Sequence, residues 1–395
     1  MNIALVHDWL TGMRGGERCL EVFCELFPDA PIFTLLHHDS SVSSAIEKHE
    51  IRSSFIQRLP FSQSHYRYYL PLFSRAIESF HLRGFDLLLS SSHCVAKGIR
   101  VPDGTCHISY VYTPMRYVWD QYDAYFADGR AGLLTKSTMK FLRHRLQKWD
   151  VASSRNVHYF IVISHHVAAR IRRYYGRGAD VIYPPVDLNA FSVSTYHEGF
   201  YLMVSAFAPY KRVDLAIEAF NIMKKPLKII GTGQDEQRLK RLAGPTIEFL
   251  GWQQDEKVRE HYRRCQAVIF PGEEDFGIVP LEAMACGKPV IAFGKGGAVE
   301  TVIPVNPGSK PTMERAVTNL PSRFSNQTPP TGVFFYEQTV NAVLEAVRFY
   351  EDQQASFDPQ VVRAHVAPFD VAHFKKNIGE LIEQRYQEFQ SRRSC

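Results

Sequence analysis

Two glutamates with seven residues between them, Glu274 and Glu282, are the first groups in this sequence whose type and spacing could do chemistry. They lie in QAVIFPGEEDFGIVPLEAMACGKPVIAFGKGGAVET, residues 266–301. An ionised carboxylate accepts several hydrogen bonds at once, which suits sugar and ribose hydroxyls. Phe276, Gly277 and Ile278 fall where a helix should begin, and the unpaired N–H groups at the positive end of a helix attract phosphate. Lys211 and Arg212 sit in another strand-to-helix connection, where their charge would offset a departing diphosphate. Hydroxyl-binding carboxylates beside anion-binding amides are what a nucleotide sugar needs. Taken on spacing alone, the two glutamates equally describe a solvated acidic loop ahead of a core helix.

The elements that must hold these groups can be read from hydrophobic pattern. Ala267–Phe270 is a short apolar run of the kind found in buried parallel strands. Val279–Cys286 repeats apolar residues at helical spacing, Gly287 marks its stop, and Pro289–Phe293 reads as the next strand. In an open α/β sheet, ligands bind outside the carboxyl ends of strands, and the 271–277 loop falls there. Tyr201–Ser205, Leu227–Ile230 and Ile247–Gly251 are further strands of this half. Gly231 and Gly233 follow Leu227–Ile230, where small residues would let a nucleotide lie against the backbone.

The first half repeats the design. Ile3–Val6 is a strand, His7 and Asp8 follow it, and Trp9–Gly16 reads as a loop before a helix that starts near Glu17. Gly15 and Gly16 serve there as a structural turn or as a phosphate loop; the spacing is not G-x-G-x-x-G. Phe85–Ser90, His107–Tyr112, Val157–Ser164 and Asp180–Tyr183 are strands. His93 follows one strand end, as a cap or as a ligand-facing group. Tyr112 ends the next; its hydroxyl can donate to a sugar or a phosphate, but with an ordinary pKa of about 10 it is a poor proton acceptor. Pro184-Pro185 stiffens a linker over Tyr183–Phe191.

EEDFGIVPLEAMACGKPVIA resembles the donor-binding motif of retaining glycosyltransferases of family 4. HDWLTGMRGGE, PMRYVWDQYDAYF, VIYPPVD and the 209–214 run PYKRVD resemble the mannosyltransferase-like branch that builds bacterial surface polysaccharides. The resemblance covers nearly the whole chain and follows the family's motif order. It implies an α/β protein of the GT-B fold, with two Rossmann-like domains facing each other across a cleft. The expected parts are an acceptor domain over 1–188, a donor domain over 189–365, and a C-terminal helix over 366–395 crossing back to the first domain. The implied reaction moves a sugar, mannose from GDP-mannose as the branch suggests, to a saccharide acceptor that is lipid-linked. By resemblance the configuration is retained, no metal or cofactor is required, and the departing phosphate oxygen takes the acceptor proton. Glu274 is then expected to hold the transferred sugar, Glu282 the ribose, and Lys211 with Arg212 the diphosphate. Gly15 and Gly16 are expected near the diphosphate and acceptor. Many relatives carry histidine at the place of Tyr112 and an arginine at the place of Ala206, so histidine-based catalysis is in doubt here. The readings of other classes are an epimerase or phosphorylase on the same fold, or a non-catalytic nucleotide-sugar-binding protein.

A chain of 395 residues suits two domains, and 45% apolar with 22% charged residues is a globular composition. No apolar run approaches the roughly 18 residues that span a bilayer. The start reads as a strand rather than a leader, and the seven cysteines lack metal-type spacing, which together give the expectation of a cytoplasmic protein with reduced thiols. The net charge of +5 belongs to residues 1–190, which carry 22 basic and 17 acidic side chains, whereas 191–395 carry 24 of each. Basic residues interleaved with large apolar ones fit an anionic inner membrane surface better than nucleic acid. Two stretches show this: 51–85, with five arginines and one glutamate, and 130–148, with six Lys and Arg and no acid. In the second, Met139, Leu142, Leu146 and Trp149 form one face of a helix expected at the membrane, with Lys136, Lys140 and Arg143 on another.

Overall fold

The computed structural model describes residues 1–116, 118–120, 133–305 and 329–394, with backbone only over 133–141 and at 394. The chain forms two compact units, one of Met1–Pro185 with Val371–Cys395 and one of Val186–Asp370.

The first unit is built on seven strands: β1 (Ile3–His7), β2 (Ile32–Thr34), β3 (Ile51–Ser53), β4 (Leu87–Ser92), β5 (Cys106–Val111), β6 (Tyr159–Val162) and β7 (Asp180–Val181). All neighbours pair in parallel, in the order β3-β2-β1-β4-β5-β6-β7. Strand β4, LLLSSS, is buried throughout. Its serines are tolerable because each finds a partner: Ser90 Oγ lies 2.8 Å from His107 Nε2 and Ser91 Oγ 3.0 Å from His7 Nδ1. The terminal helix Val371–Ser394 buries Phe374, Ile378 and Ile382, spaced one turn apart, and Phe374 packs on Phe23 and Tyr110. Its Arg385 makes a bidentate pair with Asp180 at 2.7 and 2.9 Å.

The helix Leu133–Ser153 corrects one expectation. Leu146 is buried, while Leu142 and Trp149 pack against the same core as Trp9, Phe73 and Val95. This face is interior because the apolar side chains have a core to fill. The helix is pinned from below by Asp150, which is fully buried and takes Lys97 Nζ at 3.0 Å, Tyr175 Oη at 2.7 Å and Trp119 Nε1 at 2.8 Å. Trp119 is thus a packing residue. Arg130 and the side chains of Lys136, Met139 and Lys140 lie outside the described residues.

The second unit holds six parallel strands: β8 (Tyr201–Val204), β9 (Leu227–Ile230), β10 (Ile247–Gly251), β11 (Ala267–Phe270), β12 (Val290–Phe293) and β13 (Gly332–Phe335). Their order is β10-β9-β8-β11-β12-β13. Every residue of β11 and β12 is buried, as continuous apolar runs in a sheet covered on both faces require. The chain enters and leaves this unit side by side: Val186 and Asp370 form a parallel bridge, with Val186 N–H donating to Phe369 O at 2.8 Å and Leu188 N–H to Asp370 Oδ1 at 3.2 Å.

In each sheet the strand order reverses direction once, between β1 and β4 and between β8 and β11. The carboxyl ends at such switch points are where open α/β sheets bind ligands.

Candidate functional site

At the switch point of the second unit, three connections converge. The one after β8 contains a 3₁₀ turn, Pro209–Lys211, and places Arg212 in the left-handed region at φ 52°, from which the helix Val213–Met223 starts. Lys211 Nζ reaches Glu274 Oε1 at 2.5 Å, with the side chains 15% and 19% exposed. Arg212 is 3.3 Å from Asp214 and 3.4 Å from Gln338, whose amide donates to Pro271 O at 2.9 Å. Those bonds tie the basic turn to the loop after β11. The third connection, after β12, braces that loop: Gly297 N–H donates to Glu274 O at 2.7 Å. Gly296, at φ 72°, lies so close to Glu274 that any Cβ would overlap its carbonyl. Glycine is required there by close backbone approach.

The helix Ile278–Ala285 begins at Gly277, φ 91°, an N-cap residue with no side chain. The N–H groups of a helix's first turn suit an anion. Glu282 lies in its second turn, and Glu282 Oε2 accepts from Tyr262 Oη at 2.9 Å. Tyr262 is fully buried; burial first, then the Glu282 carboxylate, push its hydroxyl well above its ordinary value. It is a fixed donor that holds one carboxylate oxygen.

Gly231 and Gly233 have a structural cause as well. A Cβ on Gly231 would overlap Ser205 O, and one on Gly233 would overlap the Phe207 backbone. These glycines let the connections after β8 and β9 touch each other.

At the switch point of the first unit lies a second polar cluster. The fully buried Asp8 carboxylate accepts four backbone N–H groups, from His93, Cys94, Val95 and Ala96, at 2.6–2.9 Å. His93 Nδ1 adds a fifth contact at 3.1 Å. Asp8 and His93 are 85 positions apart, and this pairing had no local sequence signal. Gly15 and Gly16 do not form a loop: they open the helix Gly15–Leu26, and Glu17 caps it by accepting from Arg14 N–H at 3.1 Å. The capping role explains why the helix starts two residues early. Glu17 also stands 3.6 Å from His7 Nε2. Burial alone would raise the Glu17 pKa, but His7, His93 and its own backbone hold it below its ordinary value. Tyr112 donates to Gly16 O at 2.9 Å and lies 2.8 Å from Ser91 Oγ. Its hydroxyl proton is committed within the protein, and burial raises its pKa well above the usual value. Its observed contacts hold the first helix on the sheet.

Residues 191–309 match the model of the family described as glycosyl transferases group 1. An uncharacterized glycosyltransferase of Methanocaldococcus jannaschii is 34% identical over 151 residues, 36% of this chain and 42% of that protein. A GDP-mannose-dependent monoacylated alpha-(1-6)-phosphatidylinositol monomannoside mannosyltransferase of Corynebacterium glutamicum is 36% identical over 116 residues, 25% of this chain and 30% of that protein. The matches thus span less than half the length of these curated relatives. Among solved structures, Anabaena HepE in complex with UDP superposes with a TM-score of 0.66 at 16% identity, over 97% of this chain and 100% of that one.

The two parallel α/β units therefore have the GT-B fold of glycosyltransferases. The region 191–309 is a glycosyl transferases group 1 sequence, and it lies wholly within the second unit.

Proposed function

We propose that this protein is a retaining glycosyltransferase that moves a sugar from a nucleoside diphosphate, held by the second unit, to a hydroxyl of a saccharide acceptor. The observation that carries the reading is the Lys211–Glu274 pair at the β8/β11 switch point, inside the region of the family match. An ammonium has three donors, so Lys211 can serve a diphosphate oxygen while Glu274 orients it. Its charge gains value as the glycosidic bond breaks and negative charge grows on the leaving diphosphate. Glu274 keeps further lone pairs for hydroxyls of the transferred sugar. Glu282, steadied by Tyr262, suits the ribose, and the helix start at Phe276, Gly277 and Ile278 suits a phosphate. Arg212 supplements the diphosphate site. Mannose from GDP-mannose is the donor we favour, supported by the mannosyltransferase relative. We place the acceptor on a lipid carrier and the protein at the anionic inner face of a membrane. In support, Phe55, Phe61 and Tyr68 are 40%, 77% and 75% exposed on the first unit. Arg58, Arg67 and Arg75 are exposed in the same segment, and 54–77 contains no acidic residue. Among the described residues no helix is long and apolar enough to cross a membrane.

A thermal-shift panel of GDP-, UDP- and ADP-sugars, followed by product formation from a labelled donor with and without EDTA, tests this. Stabilisation by one nucleotide sugar with EDTA-resistant transfer is the expected result. Binding without product would favour a non-catalytic carrier, and product without an acceptor would favour an epimerase.

A further inference from the structure

The proposed reaction also needs groups that position the acceptor saccharide through its hydroxyls, and the Tyr112 proton is already donated to Gly16 O. At the carboxyl end of β1, His7 Nε2 lacks a hydrogen bond but is fully buried, whereas the histidine after β4 is partly exposed. His93 follows β4, is 26% exposed, and turns Nδ1 to Asp8 Oδ2 at 3.1 Å. Among the described residues its Nε2 has no protein partner. The imidazole is held on three sides. The backbone N–H of His93 donates to Asp8 beside its ring Nδ1, the ring meets Trp9 edge-on at 4.4 Å, and the Tyr112 ring lies 6.3 Å away.

Asp8 fixes more than position. A carboxylate that accepts five contacts from one turn cannot rotate, so the proton of His93 stays on Nδ1 and the lone pair on Nε2 points away from the carboxylate. Burial, followed by the charges of His7 and Arg116, favours the neutral ring, against the opposing pull of Asp8 and Glu17. A neutral imidazole with its donor side occupied is a hydrogen-bond acceptor of fixed direction.

We propose that His93 is a catalytic residue of the acceptor site, its Nε2 accepting the hydrogen bond of an acceptor sugar hydroxyl while Asp8 holds the ring. This deepens the glycosyl-transfer reading and rests on it. His93 Nε2 thus supplies a hydroxyl-accepting atom beside Tyr112, whose own proton goes to Gly16 O. The ligand class is a polyhydroxylated saccharide, engaged through a hydroxyl donor.

The test compares wild type, His93→Leu and His93→Gln, leaving Asp8 intact because four backbone N–H groups depend on it. Transfer kinetics are measured against acceptor concentration from pH 5 to 8, nucleotide affinity by calorimetry, and folding by thermal unfolding. His93→Leu should raise the acceptor KM or lower kcat/KM for acceptor by about 10- to 100-fold, the loss of one well-placed hydrogen bond. Nucleotide affinity and melting temperature should not move. His93→Gln, with an amide oxygen in reach of the same hydroxyl, should recover part of that loss. Wild-type kcat/KM for acceptor should fall on acidification, because a charged ring cannot accept, and His93→Leu should lack that fall. Acceptor kinetics of His93→Leu within twofold of wild type, or an acid limb that persists in it, would overturn the inference and leave the transfer reading standing. Absence of transfer by the wild-type protein removes both.

Discussion

The Lys211–Glu274 pair permits a double-mutant cycle whose outcome follows from its geometry. At 2.5 Å and an effective dielectric of about 20, the Coulomb attraction is about 7 kcal/mol before desolvation is counted. Two groups only 15% and 19% exposed return most of that as lost hydration. What survives for a charge-assisted hydrogen bond is about 1.5–3 kcal/mol, or roughly 10- to 150-fold in a rate or affinity. Glu274→Gln and Lys211→Met should each lower kcat/KM for donor by that factor. Lys211→Met should act mainly on kcat, because its partner charge grows in the transition state. Since each side chain orients the other, the double variant should lose about 1–2 kcal/mol less than the sum of the singles. Steady-state kinetics with a labelled donor, at fixed saturating acceptor, reads all four corners of the cycle. Coupling below about 0.3 kcal/mol would mean that the two groups act independently. That result would sink the idea that Glu274 aims the lysine at the diphosphate.

Four further outcomes are expected. Glu282→Ala should weaken nucleotide binding roughly 10- to 150-fold by calorimetry, and Tyr262→Phe, which frees the same carboxylate, should weaken it less. Tyr112→Phe removes the side-chain donor to the Gly16 carbonyl and should cost about 1–2 kcal/mol of stability, lowering the melting temperature of the first unit by a few degrees. Because the folded pKa of Glu17 lies below its ordinary 4.5, its stabilisation is full above that value and is lost as pH falls through the folded pKa. Urea unfolding should therefore show a smaller acid loss in Glu17→Gln than in wild type; parallel curves would contradict this. Finally, the protein should sediment with anionic vesicles at low salt and release at high salt, and Phe61→Ser with Tyr68→Ser should weaken that sedimentation; equal sedimentation with neutral vesicles would point away from an anionic surface.

Strand positions were legible because buried parallel strands are unbroken apolar runs, as in Ala267–Phe270 and Leu227–Ile230, each found at the expected residues. Glycine was read less well. Gly15 and Gly16 look like loop formers, yet Glu17 supplies a cap and draws them into a helix. Gly231 and Gly233 announce close approach, but their sequence neighbours do not reveal that the approaching chain is Ser205–Phe207. The amphipathic face at Leu142, Leu146 and Trp149 could not be assigned to core or membrane from periodicity, since both demand the same stripe. Long-range contacts had no local signal: Lys211 and Glu274 were legible as one site but not as a pair, Asp8 with His93 not at all, and both pairs meet because parallel strands bring distant carboxyl ends together.

The bridge between Val186 and Asp370 makes the second unit a cassette. A segment whose two ends are already clasped can be cut out and its ends rejoined elsewhere with little loop-closure entropy, so the host chain need not be redesigned around it. On the proposed reading, the nucleotide preference of such a segment is portable with it. If the proposed donor site is right, exchanging 186–370 between scaffolds should alter the donor while leaving residues 1–185 unchanged.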